Sequence, residues 1–248
     1  MAFKKHPFFF LLLAVFISCN TLYQPTKLAY DYYEIAAGQP KDSALLRLLA
    51  PYSDSIHKSM NEVVGYTEES LEKAQPSGTL GHFMADVMLY AGKQKFGEPI
   101  DAAFVNYGGL RIPQMPKGPI TRSTVFELMP FENLVVVQAI KGDVLQQFLD
   151  HIAMAGGWPV AGLTFKIKNK KAIDVVINGQ PIDRAKTYHI VNSDYVANGG
   201  DNAVMLKDLP QQNKGYLMRD AVFDYIKALK AAGKNITAMK ENRISYAE

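Results

Sequence analysis

At 248 residues, 48% of them hydrophobic and 21% charged, the chain holds enough apolar material to bury a sizeable core, which excludes a disordered protein. The formal charge of +3 falls to +1 once Lys4 and Lys5 are set aside with the leading segment described next, a balance that argues against nucleic acid as a partner. A single cysteine excludes an internal disulfide framework.

The first 18 residues read as an export signal: basic Lys4 and Lys5, an apolar run from Phe8 to Ile17, then Ser18 before Cys19. The run is short for a membrane span. A buried N-terminal strand or an uncleaved anchor are the other readings of the segment, and the order basic, apolar, small, Cys suits them less well. Phe16-Ile17-Ser18-Cys19 resembles a bacterial lipobox, with Phe16 where Leu is usual. That implies acylation of Cys19 and a mature protein tethered to a membrane by lipid, facing the periplasm or the cell exterior. The bland alternative is a chance cysteine closing an ordinary signal. Residues 19–27 are polar with Pro25 and suit a tether, leaving 28–248 as the folded body.

Along that body, Leu28 to Ala36 is Tyr-rich and alternates loosely, which predicts a strand. Leu45, Leu48, Leu49, Ile56 and Met60 keep helical spacing around Pro51 and predict a kinked helix or two shorter ones within 43–64. Leu80, Phe83, Met84, Val87 and Met88 mark one face of a second helix, and Val144, Leu145, Phe148, Leu149 and Ile152 that of a third. Tyr216 to Ala232 predicts a fourth, with Leu217, Val222, Tyr225, Ile226 and Leu229 inward and Gly233 as its cap. Between the helices, Ala102–Val105, Leu134–Ile140, Leu163–Ile167, Ile173–Ile177 and Tyr188–Val191 read as strands, and Asn178-Gly179 as a hairpin turn. With no repeat and no interdomain linker, this predicts an α+β fold: a single mixed domain of α and β layers.

Chemistry is sparse. His57, His82, His151 and His189 fall in no H-E-x-x-H or D-x-H arrangement, so a core or surface role fits each better than metal ligation. A G-x-S-x-G elbow, a P-loop and a G-x-G-x-x-G turn are also missing. No catalytic residue and no metal site is assigned to the chain. Two glycine-rich segments follow apolar strands: Asn106 to Arg111, with Gly108 and Gly109, and Asn192 to Asp201, with Gly199 and Gly200. Arg111 offers a planar cation to a phosphate or ribose oxygen, Asn106 an amide, Asp201 an acceptor for ribose hydroxyls and Tyr195 a face for a base. Read on composition alone, both segments serve equally well as ordinary turns.

Four motifs in order give these segments a context. Gly81-His82-Phe83-Met84-Ala85-Asp86 resembles the G-N-L-x-A-D helix of the 5'-nucleotidase family's C-terminal domain, and Asn106 to Arg111 resembles its N-G-G-G-I-R loop. Val125 to Phe131 is similar to its V-x-E-x-x-P-F segment and Tyr195 to Asp201 to its F-L-A-N-G-G-D. His82 and Tyr107 depart from the pattern, and Lys73 and Ala74 stand where the family carries a further arginine. The resemblance implies a domain that clamps a base between two aromatic rings, here Phe131 and Tyr195, with Asn106 and Arg111 toward the phosphate or base edge and Asp201 toward the ribose.

The family's two-metal phosphoesterase domain, with its D-x-H and G-N-H-E motifs, has no match in these 248 residues. The expectation is therefore the nucleotide-binding half of a split 5'-nucleotidase, acting in nucleotide catabolism outside the cytoplasm. This chain would carry no cofactor, and divalent metals would belong to a separately encoded metallophosphatase. The alternatives are a standalone nucleotide- or nucleoside-binding lipoprotein and an interaction domain that binds neither.

Overall fold

A computed structural model describes residues 27, 29–33, 38 and 40–248. The expected signal, Cys19 and the tether up to residue 26 lie outside the described residues, as do 28 and 34–36 of the Tyr-rich segment. Residues 29–33 form no strand, and Tyr30, Tyr32 and Tyr33 stand exposed. Alternation alone does not make a strand, which needs a partner to satisfy its backbone.

The chain divides into two units, 1–48 and 49–248. Helix α1 (Ser43–Met60) starts on Asp42, whose carboxylate accepts the N–H groups of Ala44 and Leu45 at 2.8 and 3.1 Å. It is one continuous helix with Pro51 inside, not two, and none of its residues is buried.

The elements that follow are β1 (Val63–Thr67), β2 (Leu71–Glu72), α2 (Thr79–Lys95), β3 (Ala102–Phe104), β4 (Gln114–Met115) and β5 (Gly118–Thr121). Next come α3 (Arg122–Leu128), β6 (Leu134–Lys141), α4 (Gly142–Met154), β7 (Val160–Ala161), β8 (Leu163–Lys168), β9 (Lys171–Ile177) and β10 (Gln180–Pro181). The last are β11 (Thr187–Ser193), α5 (Asp194–Ala197), β12 (Gln211–Leu217), α6 (Met218–Ala231) and β13 (Ile244–Tyr246).

A five-stranded sheet of order β12-β6-β11-β3-β7 forms the centre, antiparallel except where β11 runs parallel to β3. Alternate residues face opposite sides. Ala103, Val105, Val135, Val137 and Val191 pack against α2 and α6, while Ala102, Phe104, Tyr188 and Ile190 pack against α4. The other side of α4 meets a four-stranded sheet, β10-β9-β8-β13, whose Leu163, Phe165 and Ile167 point inward between exposed Thr164, Lys166 and Lys168. The result is four layers, helix, sheet, helix and sheet, in a mixed α+β arrangement as expected.

Phe148 of α4 anchors the second core, edge-on to Phe104 at 4.9 Å and to Trp158 at 5.8 Å. Asn178 and Gly179 both take positive φ, 50° and 78°, as the tight turn between β9 and β10 requires. Helix α6 begins two residues later than its apolar spacing predicts, because Tyr216 and Leu217 close β12. It ends as predicted at Gly233, φ 67°, where the N–H groups of Gly233 and Lys234 bond the carbonyls of Lys230 and Leu229. The chain's last strand is pinned by buried Arg243, which donates to both oxygens of Asp86 on α2 at 2.7 and 3.0 Å and to the Val160 carbonyl at 3.0 Å.

Candidate nucleotide site

The topology gathers three connections at one edge of the central sheet. Parallel β3 and β11 release their C-terminal ends side by side, and antiparallel β6 begins at that same edge, with Ser193 opposite Val135. The loops 105–111 and 194–202 therefore lie next to the 129–133 connection that leads from α3 into β6. The Asp194 carboxylate ties two of them by accepting the Leu134 N–H at 2.9 Å.

Between these loops lies a cavity of about 380 Å³ lined by Asn106, Gly108, Gly109, Arg111, Phe131, Asn133, Tyr195 and Asp201. Phe131 and Tyr195 are 42% and 45% exposed, large rings turned toward the cavity in preference to either core. The Arg111 guanidinium sits 5.3 Å from the centre of the Phe131 ring and donates to the Gly108 carbonyl at 3.2 Å. At the other side Asp201 is held through both carboxylate oxygens, by Asn106 Nδ2 at 2.7 Å and by the Tyr195 hydroxyl at 2.8 Å. The same hydroxyl accepts the Asp201 N–H at 3.1 Å, and His151 Nε2 donates to the Asp201 carbonyl at 2.9 Å. These contacts hold Asp201 in a left-handed conformation, φ 49° and ψ 33°, a geometry that persists only where its surroundings enforce it.

Gly199 and Gly200, read from the sequence among the contact residues, do not line the cavity. They shape it from behind: Gly199 turns the chain at φ 89°, and a Cβ on Gly200 would lie 2.5–2.6 Å from atoms of the Tyr195 ring. Gly109 serves Asn106 in the same way, since a Cβ there would approach Asn106 Oδ1 to 2.7 Å. Sequence reasoning missed Asn133, although it stands only two residues past Phe131 in the same connection. It also missed the support from His151, which no local pattern signals.

Lys73, noted only as standing near a missing arginine, reaches the site from outside. Its ammonium donates to the Leu110 carbonyl at 2.9 Å and lies 4.2 Å from the centre of the Tyr107 ring. Burial, and then the neighbouring Arg111 charge, push its pKa below the ordinary lysine value. The cavity is thus largely apolar between two charged groups, Arg111 at one side, with Lys73 behind it, and Asp201 opposite.

These side chains do not fit a metal centre. Asp201 is the one carboxylate among the lining residues and is already engaged, and among the described residues no three His, Cys, Asp or Glu side chains converge as ligands.

Comparison with known proteins places the fold. Residues 61–208 match the family model "5'-nucleotidase, C-terminal domain". The trifunctional nucleotide phosphoesterase protein YfkN of Bacillus subtilis is 31% identical over 218 residues, spanning 79% of this chain and 14% of that protein. Protein UshA of Escherichia coli is 28% identical over 200 residues, 78% of this chain and 35% of that one. The crystal structure of the 5'-nucleotidase precursor from Thermus thermophilus superposes with a TM-score of 0.71 at 26% identity, covering 84% of this chain and 44% of that one. The chain thus spans less than half the length of each. On the family match and the shared fold, this chain belongs to the 5'-nucleotidase C-terminal domain family.

Proposed function

We propose that this chain binds a nucleotide in the 380 Å³ cavity and presents it to a separately encoded metal-dependent phosphatase. The observation that carries the reading is the pair of half-exposed rings, Phe131 and Tyr195, lining a cavity with a cation at one side and a restrained carboxylate at the other. Flat apolar faces suit a base, at about 1–3 kcal/mol per stacked base. The Asp201 carboxylate suits vicinal ribose hydroxyls, and Arg111 suits a phosphate. That polarity fits a nucleotide better than a uniformly apolar or uniformly anionic ligand.

In this reading the hydrolytic metals belong to the partner, because the side chains around the cavity do not make a metal site. The purified chain then releases no phosphate from AMP with added Mn²⁺ or Zn²⁺ yet gains turnover with the partner phosphatase. Turnover by the chain alone would overturn the assignment. We also propose that residues 1–18 direct export, that Cys19 carries the lipid anchor and 19–27 form the tether, and that 28–248 form the binding domain. Among the described residues no helix is long and apolar enough to cross a membrane. Loss of membrane association and of labelled fatty acid in Cys19→Ala supports the anchor; unchanged labelling refutes it.

A further inference from the structure

Helix α1 turns its apolar side chains outward. Leu45, Leu46, Leu48, Leu49, Tyr52 and Ile56 are 48–67% exposed, and no residue of the helix is buried. At about 3.6 residues per turn these six fall on one broad face, while Arg47, Asp54 and Lys58 line the opposite one. Apolar residues exposed singly are ordinary, but six on one helix face call for a cover.

That face suits a lipid surface better than a second helix. A seam between two helices is narrow and is flanked by charged residues that set partner and register. Here the positions beside Leu45, Leu49, Tyr52 and Ile56 carry Leu46, Leu48, Ser53 and Ser59. A helix that lies in a membrane interface has a broad apolar face and a cationic back. Arg47 and Lys58 supply two positive charges there against Asp54 alone, and among the described residues no helix is long and apolar enough to cross the membrane instead. Pro51 lies on the same charged side and has no N–H to give the Arg47 carbonyl. On that side water satisfies the carbonyl, which hydrocarbon would not.

Position in the chain points the same way. Ser43 follows Cys19 by 24 positions. At about 3.5 Å per residue the connection keeps the helix within about 80 Å of a lipid on that cysteine, where even a weak affinity for the membrane holds it down. Tyr30, Tyr32 and Tyr33, exposed along that connection, are of the type that collects at membrane–water interfaces.

Resting on the lipid-anchor reading of Cys19, we infer that α1 lies along the membrane surface. Leu45, Leu49, Tyr52 and Ile56 enter the boundary between headgroups and acyl chains, and Arg47 and Lys58 face headgroups and water.

Because Cys19 is the only cysteine, a thiol introduced elsewhere is the only free one once Cys19 carries lipid. The full chain, processed by a bacterial host, is reconstituted into vesicles of phosphatidylethanolamine and phosphatidylglycerol as Leu49→Cys, Ile56→Cys, Asp54→Cys and Lys58→Cys, each bearing a nitroxide spin label. Labels at 49 and 56 should collide freely with lipid-soluble oxygen and lose access to a water-soluble nickel chelate; labels at 54 and 58 should keep that access. Equal access to the chelate at all four positions overturns the inference. Low collision with both reagents at 49 and 56 overturns it too, since that marks a protein cover, a second copy or another partner. Wild type should take up no label; a labelled wild type removes the anchor reading, and this inference with it.

Discussion

Replacing Tyr195 with Phe separates the ring of this residue from its hydroxyl. The hydroxyl donates to Asp201 Oδ1 at 2.8 Å and accepts the Asp201 N–H at 3.1 Å, so the substitution deletes two of the contacts that hold Asp201 at φ 49°. A neutral hydrogen bond contributes about 0.5–1.5 kcal/mol net and one to a charged group about 1.5–3 kcal/mol. At a half-exposed position water replaces much of this, which leaves a cost of about 1–2 kcal/mol, or roughly 5- to 30-fold in affinity. The loss falls on ligands that use Asp201. Calorimetry with adenosine should show it, and 2',3'-dideoxyadenosine, lacking the vicinal hydroxyls, should bind the variant and the wild type alike. Tyr195→Ala removes the stacking face as well and weakens both ligands. If Tyr195→Phe weakens both nucleosides equally, or leaves adenosine unaffected while Tyr195→Ala abolishes binding, Asp201 is not the ribose acceptor.

Other perturbations test the supports. Gly200→Ala forces a Cβ toward the Tyr195 ring, where it would stand 2.5–2.6 Å away. Ligand affinity should fall about tenfold, within the range of a lost base stack, with little change in melting temperature; undiminished binding would show that the ring position is not set by Gly200. Arg243→Ala leaves Asp86 without its partner and should lower unfolding free energy by about 3 kcal/mol in denaturant titration; a change under about 0.5 kcal/mol, the size of an ordinary surface substitution, would refute the pinning of β13 by Arg243.

His82 gives a pH signature. The Met239 carbonyl, an acceptor only, takes the Nδ1–H at 2.6 Å, and in the neutral ring Nε2 accepts from the Ser77 hydroxyl at 2.6 Å. Burial, aided by the Arg243 charge and opposed by the Met239 bond, pushes its pKa below the ordinary histidine value. The unfolded chain then binds the proton more readily, so stability is intact above about pH 6.5 and declines as pH falls below it, by at most about 1.4 kcal/mol per pH unit. His82→Asn should flatten that decline between pH 7 and 5; an identical slope in both proteins contradicts it.

Helices α2, α4 and α6 were legible because each buries a continuous stripe at helical spacing, and β6, β8, β9 and β11 because their apolar residues recur in short runs. The strand β12 carried no such signal. Gln211, Gln212, Asn213 and Lys214 are exposed on an edge strand, where pairing with β6 is decided by backbone and not by side chains. Helices α3 and α5 span 7 and 4 residues, too short for periodicity to register. The Tyr-rich alternation near residue 30 was misleading for the opposite reason, a pattern with no partner strand at residues 29–33.

At the site, the two glycine-rich loops could be found from their composition and motif order, but not the reason they meet. That reason is the parallel pairing of β3 with β11, between residues some 88 apart, as with Ile190 and Ala102. His151 was invisible for the same cause, and so were the contacts of Lys73, since each reaches the loops from an element distant in the chain. The glycines show a finer limit. Gly199 and Gly200 were recognisable as special, yet only the close approach of Tyr195 reveals that they position a ring and do not touch the cavity.

The most direct test of the account is a crystal structure of the chain grown with AMP. The base should lie between Phe131 and Tyr195, the ribose hydroxyls within hydrogen-bond distance of Asp201 and the phosphate at Arg111. A nucleotide bound elsewhere, or seated in this cavity with its base away from both rings, would contradict it.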